Sequence, residues 1–206
     1  RRGAVETVSQ EAHLHSIWKL FDRARGCLLG LAVGDALGTT LEFRSRDSYD
    51  HITDMSGGGP FGLDAGMWTD DTSMALALGE ALLASAAKGS IFEPAEAQKR
   101  FVEWWRNRSY SPTSDCFDIG ITTRQALSRF EKTGDPISGS ADPYSAGNGS
   151  LMRLAPVAIW GTRADSSVMT RVARRQSMTT HAAEACLEAC DAYSLILREI
   201  GRASCR

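Results

Sequence analysis

Apolar residues recur along this chain at three- and four-residue steps, and nowhere alternate long enough to mark a strand. Thr72 to Ala87 is rich in Ala, Leu and Met, and Met74, Leu78, Ala81 and Leu82 fall on one helical stripe. Pro94 suits a first helical turn. The helix it opens continues through "AEAQKRFVEWWRNR", with Phe101, Trp104 and Trp105 as its buried side. Ile119 to Phe130 follows, then the Gly-, Pro-, Ser- and Asp-rich loop "EKTGDPISGSADPYSAGNGS". Leu151 to Trp160 reads as a helix that Pro156 bends or restarts. Ser166 to Gln176 and Ala182 to Ile200 complete the set, the last with Cys186, Ala189, Tyr193 and Ile196 on one stripe. The pattern predicts an all-α domain with its chemistry in the loops between helices.

One helix breaks the rule that glycine avoids helix interiors. Arg23 to Leu37 carries Gly26, Gly30 and Gly34, and Gly38 follows in the same register. Each interior glycine costs up to about 1 kcal/mol against alanine. Four in register predict a small-residue seam against another backbone.

The totals narrow the class. A chain of 206 residues, 43% hydrophobic and 23% charged, can bury a core of its own. With 23 basic against 25 acidic residues it has no general excess of positive charge for nucleic acid. The N-terminus "RRGAVETVSQEAHLHS" lacks the apolar region of a signal peptide. The longest apolar run, Cys27 to Leu41, is too short for a bilayer and contains Asp35. A cytoplasmic protein with no membrane partner is the expectation. The five cysteines (Cys27, Cys116, Cys186, Cys190, Cys205) read as reduced thiols in apolar surroundings. Cys186, Cys190 and His181 lack the further ligand pair a zinc site needs. The chain starts without Met and ends "GRASCR" soon after a strong helix, so both ends read like those of a fragment.

Four short stretches carry candidate chemistry. In "GMWTDDTSMALALGEAL" a glycine-rich loop delivers Thr69, Asp70, Asp71 and Thr72 to a helix start. Carboxylates are stabilised there by free N–H groups, so a plain N-cap is one reading. Capping needs only one such side chain, however. Two carboxylates beside two hydroxyls also form a hard-oxygen set suited to Mg²⁺, Mn²⁺ or Ca²⁺. The second stretch, Ser145, Ala146, Gly147, Asn148, Gly149 and Ser150, opens the helix "LMRLAP". Its glycines and the helix N-terminus can cradle a diphosphate, or serve as an ordinary capped loop. It is neither a Walker loop nor a dinucleotide fingerprint. The third is Glu42, which ends "GDALGTTLEF". The fourth is His181, which opens the last helix and could stack on a ring or lie at the surface.

The wording and order of "GCLLGLAVGDALGTTLEF", "WTDDTSMALAL", "CFDIGITTRQAL", "SAGNGSLMRLAPV" and "THAAEACLEACDAY" resemble the ADP-ribosylglycohydrolase family from about Arg23 to Ile200. The resemblance implies a compact orthogonal multi-helix bundle, with two Mg²⁺ or Mn²⁺ ions at the mouth of an ADP-ribose cleft. By its pattern Thr69, Asp70 and Asp71 are metal ligands, and Asp70, Asp71 and Glu42 serve catalysis. Ser145, Ala146, Gly147, Asn148 and Gly149 wrap the diphosphate and its ribose. Asp118 and Gly120 belong to a second cleft loop, and His181 lies at the nucleotide end. The implied partner is an ADP-ribosylated protein or an ADP-ribose-containing small molecule, cleaved at the distal ribose. Residues 1–22 then form an N-terminal extension and 23–206 the family-like domain.

The pattern stops short at its end. The family has a second acidic set, an Asp-x-Asp, on a later helix, whereas after His181 the only aspartate here is Asp191. Truncation, completion by a second chain, and a non-catalytic relative that binds ADP-ribose or a protein are the three explanations. The missing part predicts exposed helix faces and self-association. Other all-α metal enzymes fit worse. Asp70 and Asp71 lead into Thr-Ser-Met rather than a DDxxD motif, and no His precedes an Asp.

Overall fold

The computed structural model describes residues 2–202, in side-chain detail from residue 17 onward. Seven helices follow in order: α1 (Arg2–Gly38), α2 (Asp70–Ala87), α3 (Pro94–Asn107), α4 (Ile121–Thr133), α5 (Ala155–Trp160), α6 (Ser166–Met178) and α7 (Glu184–Arg202). Among the described residues there is no strand, only isolated bridges at Gly58–Leu63 and Ser140–His181. The all-α expectation holds.

The core forms where the apolar stripes meet. Met74 and Leu78 of α2 are fully buried, as are Phe101 of α3, Leu127 of α4 and Met169 of α6. Trp104 joins them at 1% exposure. Each such side chain contributes about 1.5–3 kcal/mol of burial. α2 runs through the centre against α3 and α5, while α6 and α7 pair alongside. This arrangement sets the start of α2, the loop before α5 and the turn between α6 and α7 near one another.

Several boundaries and faces differ from the sequence reading, each for a local reason. α1 runs from Arg2 to Gly38, where the sequence reading has a helix over Arg23 to Leu37. α5 begins at Ala155, not Leu151, because Pro156 sits in its first turn and residues 151–153 form turns before it. Trp105 is only half-buried, with the Arg106 guanidinium 3.5 Å above its ring. On α7 the buried face is Cys186, Leu187, Cys190, Ser194 and Arg198, while Tyr193 and Ile196 are exposed. Pairing with α6 turns the helix away from its most apolar stripe. Cys27, Cys116, Cys186 and Cys190 are free thiols, the last two buried and the first two half-buried. Cys205 lies outside the described residues.

The glycine seam of α1 is the clearest departure. A Cβ added at Gly26, Gly30, Gly34 or Gly38 would meet nothing within 4 Å. Among the described residues no backbone packs on that face, and its glycines border open grooves instead. Exposed apolar side chains accompany it on the same helix, with Trp18 at 64%, Leu29 at 58% and Val33 at 50% exposure. No helix among the described residues is long and apolar enough to cross a membrane.

Candidate functional site

Asp35 governs the joint between α1 and α2. Its carboxylate accepts hydrogen bonds from the Thr69 amide (3.0 Å), the Thr69 hydroxyl (2.8 Å), the Thr72 amide (3.1 Å) and the Thr72 hydroxyl (2.6 Å). Thr69 is extended and places no side-chain cap of its own on α2. An aspartate from another helix therefore satisfies the free N–H groups that open α2. Asp70 and Asp71 are released from capping and point elsewhere. The chain reaches this turn through a glycine-rich loop pressed on the segment after α1. At Gly59 (φ +67°) a Cβ would lie 2.8 Å from the Thr39 carbonyl oxygen. Replacing Asp35 with alanine leaves two amides and two hydroxyls without their acceptor. We expect a loss of about 2–4 kcal/mol in urea unfolding, more than an ordinary N-cap gives.

The released carboxylates gather with others. Asp118, held at a positive φ of 56°, lies beside both Asp70 and Glu42. Burial first, then the neighbouring negative charges, push Asp70 far above the usual carboxylate range. The same causes raise Glu42 to about 7. Asp71 rises to about 6, through burial and the charges of Asp35 and Asp118. Asp118 is raised chiefly by burial. No lysine or arginine forms an ion pair with any of the four among the described residues.

Beside this cluster lies an open cleft of about 520 Å³, within the range of small-ligand sites. Gly30, Gly34 and Gly38 of α1 line it together with Glu42, Thr69 and Asp71 of the acidic group and Asn148 of the glycine loop. The open glycine face thus has a role: it keeps the cleft wide. Asp70 sits behind the cleft at 9% exposure.

The loop bearing Asn148 rests on His181. This histidine is buried at 3% exposure, in the turn before α7, and not at the surface. A Cβ at Gly149 would lie 2.7 Å from His181 Cε1, and one at Gly147 would lie 3.5 Å from Nε2. The imidazole therefore packs directly beneath the loop backbone. Burial and the charge of Arg153 lower its pKa to about 4, so the ring is neutral. Ser145 closes a 3₁₀ turn by donating from Oγ to the Asp142 carbonyl, and its own carbonyl accepts from Thr122 Oγ1. Ala146 caps that turn. Gly120 caps α4 and is exposed.

The sequence-derived residues thus assemble in two groups. Glu42, Thr69, Asp70, Asp71 and Asp118 form the acidic end. Ser145, Ala146, Gly147, Asn148, Gly149 and His181 form the loop and its support. Asp35 and Arg153 are the functional residues the sequence reading missed. Their signal is the same: a charged residue inside an otherwise apolar helical stretch, "LAVGDALG" and "LMRLAP". Such a residue must be paired or hydrogen-bonded.

For a metal, the donors fit in kind and are incomplete in number. Crowded carboxyls with no cation among their partners are the hard-oxygen set that Mg²⁺ or Mn²⁺ takes. Among the described residues, however, no three His, Cys, Asp or Glu side chains converge as a closed ligand set.

The model of the ADP-ribosylglycohydrolase family matches residues 18–204. The ADP-ribosylarginine hydrolase Tri1 of Pseudomonas putida is 47% identical over 164 residues, covering 80% of this chain and 43% of that protein. Its namesake in Serratia proteamaculans is 42% identical over 192 residues, 90% of this chain and 49% of the relative. The ADP-ribosyl-[dinitrogen reductase] glycohydrolase of Rhodospirillum rubrum is 41% identical over 145 residues, 67% of this chain and 44% of the relative. A solved structure titled ADP-ribosylglycohydrolase-related protein complex superposes with a TM-score of 0.76 at 40% identity, covering 90% of this chain and 58% of its own. The chain spans about half the length of the relatives it matches. With its helical order, its acidic helix mouth and its glycine loop over a buried histidine, the chain belongs to the ADP-ribosylglycohydrolase family.

Proposed function

We propose that this chain forms the acidic, nucleotide-holding part of a metal-dependent hydrolase that cleaves the bond between ADP-ribose and a protein side chain. The observation that carries this is one cleft lined both by Glu42 and Asp71 of the acidic group and by Asn148 of the glycine loop. Two relatives are named ADP-ribosylarginine hydrolases, and an arginine-linked substrate is the one we assign.

The chain's own residues would act as follows. The loop from Ser145 to Gly149 anchors the diphosphate, so remote binding positions the distal ribose at the acidic end. Glu42, with its pKa near neutrality, accepts a proton from the attacking water. The water oxygen bonds to the anomeric carbon as the carbon–nitrogen bond breaks. The electron pair leaves with the guanidine, which is then protonated. Thr69, Asp70 and Asp71 would hold the divalent ion, whose charge neutralises the carboxyls and orients the ribose hydroxyls. Free buried thiols at Cys186 and Cys190 suit a reducing cytoplasm as the site of action.

The test is release of free ADP-ribose from an ADP-ribosylated arginine peptide with Mg²⁺ or Mn²⁺ present. Release that Asp70→Ala and Asp71→Ala each reduce by about 10³-fold supports the assignment. Calorimetric binding of ADP-ribose with no release, unaffected by metal, identifies a binding-only relative instead. Full release by either variant overturns the roles assigned to these carboxylates.

A further inference from the structure

Arg153 is wholly buried, yet no carboxylate pairs with it among the described residues. Its guanidinium lies 4.4 Å over the Phe101 ring. Its Nε donates to Gln176 Oε1 (2.8 Å), and one terminal nitrogen is shared among the Gln176 carbonyl (2.9 Å), Thr179 Oγ1 (3.1 Å) and Thr180 Oγ1 (2.9 Å). A buried cation held by neutral acceptors is expensive, and the reason for keeping it lies one residue further on.

Thr180 Oγ1 is also 2.9 Å from His181 Nδ1. Arginine can only donate, so it occupies a lone pair of the Thr180 oxygen. Among the described residues the hydroxyl proton then has a single acceptor within reach, His181 Nδ1. Were Nδ1 itself protonated, the Thr180 oxygen would accept twice. Its own proton would then be buried without a partner, at a cost of about 1–3 kcal/mol. Nε2 carries the imidazole hydrogen by elimination, since the ring is neutral. That nitrogen is the ring atom nearest Gly147, and no hydrogen bond ties it to the protein among the described residues.

We infer that Arg153 is a positioning residue: through the Thr180 hydroxyl it locks His181 as the Nε2–H tautomer, and so fixes the ring on which Gly147 and Gly149 rest. The same strut reaches the loop by a second route. Gln176, which Arg153 grips, donates from Nε2 to the Ser150 carbonyl at 2.9 Å. Ser177 next to it bonds both Ser150 Oγ (2.8 Å) and the His181 carbonyl (2.7 Å). One buried guanidinium thus sets the ring and the C-terminal end of the loop together. Lysine would keep the charge but lose the planar fork that reaches Gln176 and Thr180 at once.

The tautomer can be read without any ligand, so it is separable from the proposed function on which the loop's role rests. Histidine-selective ¹⁵N labelling with long-range ¹H–¹⁵N correlation reports each ring nitrogen, and His181→Gln identifies the signal among the four histidines. Wild type should show His181 at neutral pH as a single Nε2–H form. Thr180→Val removes the hydroxyl at nearly constant volume and should turn this into a mixture. Thr180→Ser should restore the single form. Arg153→Lys should behave like the valine variant where it folds; Thr180→Val and the wild-type spectrum decide the matter where it does not. The dissociation constant for ADP-ribose should rise about tenfold in Thr180→Val and return in Thr180→Ser. An Nδ1–H form in wild type, an unchanged tautomer in Thr180→Val, or an unchanged tautomer in a folded Arg153→Lys would overturn the inference. Should wild type bind no ADP-ribose at all, the proposed function fails while the tautomer result stands.

Discussion

Asparagine in place of Asp70 is expected to stabilise the metal-free protein at pH 8 while removing its turnover. Asp70 is buried among Asp118, Asp71 and Glu42, and its pKa is raised by burial first and by those charges second. An acid whose pKa is higher in the folded state binds more protons folded than unfolded. Its stability contribution is therefore complete below the ordinary aspartate pKa and is lost as pH rises from about 4 toward the folded value. Asp71, raised to about 6, and Glu42, raised to about 7, act in the same direction. Chemical denaturation of the metal-free chain should thus show a decline in stability between pH 5 and pH 8, steeper than for Asp70→Asn. The variant removes one titrating group and should gain about 1–3 kcal/mol at pH 8, and close to nothing at pH 4. Excess Mg²⁺ or Mn²⁺ should flatten the wild-type decline, because a cation bound only by the folded, ionised cluster stabilises it by mass action. Asp70→Asn should lose that response along with about 10³-fold in turnover. A wild-type protein equally stable at pH 5 and pH 8 without metal would show that the carboxyls are not crowded as described. Opposite signs on stability and activity are what a functional site under electrostatic strain produces.

The same contrast explains what could be read from the sequence. Helix positions were legible because Met74, Leu78, Leu82, Phe101 and Trp104 repeat with the helical period and are all buried. Thr69, Asp70 and Asp71 stood out because two adjacent acids at a helix start exceed what capping requires. The glycines of α1 misled, since local sequence states that a face is flat and not what covers it. The face could equally have met a backbone, and it borders a cleft. The stripe on α7 misled for a related reason: apolar spacing predicts a buried face only when a partner is there to bury it. Tyr193 and Ile196 stay exposed while the polar Ser194 and Arg198 are buried, Arg198 donating to Ser166 Oγ at 2.7 Å. Asp35 and Arg153 escaped notice because their partners are 34 to 37 and 23 to 27 residues away in sequence. No local pattern encodes such pairings. Only the cost of a lone charge in an apolar helix hinted that partners existed.

Gly149→Ala should separate the loop's geometry from the stability of the fold. The added methyl would lie 2.7 Å from His181 Cε1, 3.2 Å from Nε2 and 3.2 Å from Thr123 Oγ1. All three belong to buried residues, and the imidazole cannot swing aside without breaking its bond to Thr180. The clash therefore falls on the loop, whose neighbours Ala146, Gly147 and Asn148 are exposed. Because the core helices are untouched, unfolding should shift by only about 1–2 kcal/mol. Displacement of the loop carries Asn148 away from the acidic end of the cleft. A misplacement of about 1 Å at a positioning element can cost ~10²-fold in rate. We expect that loss to appear in kcat/KM for ADP-ribose release, with weaker ADP-ribose binding by calorimetry. The companion variant Gly147→Ala should do much less, since its methyl would stand 3.5 Å from Nε2, an ordinary contact. Equal effects from the two alanines would mean that contact with His181 does not set the loop, and the histidine would lose the role proposed for it beneath the loop.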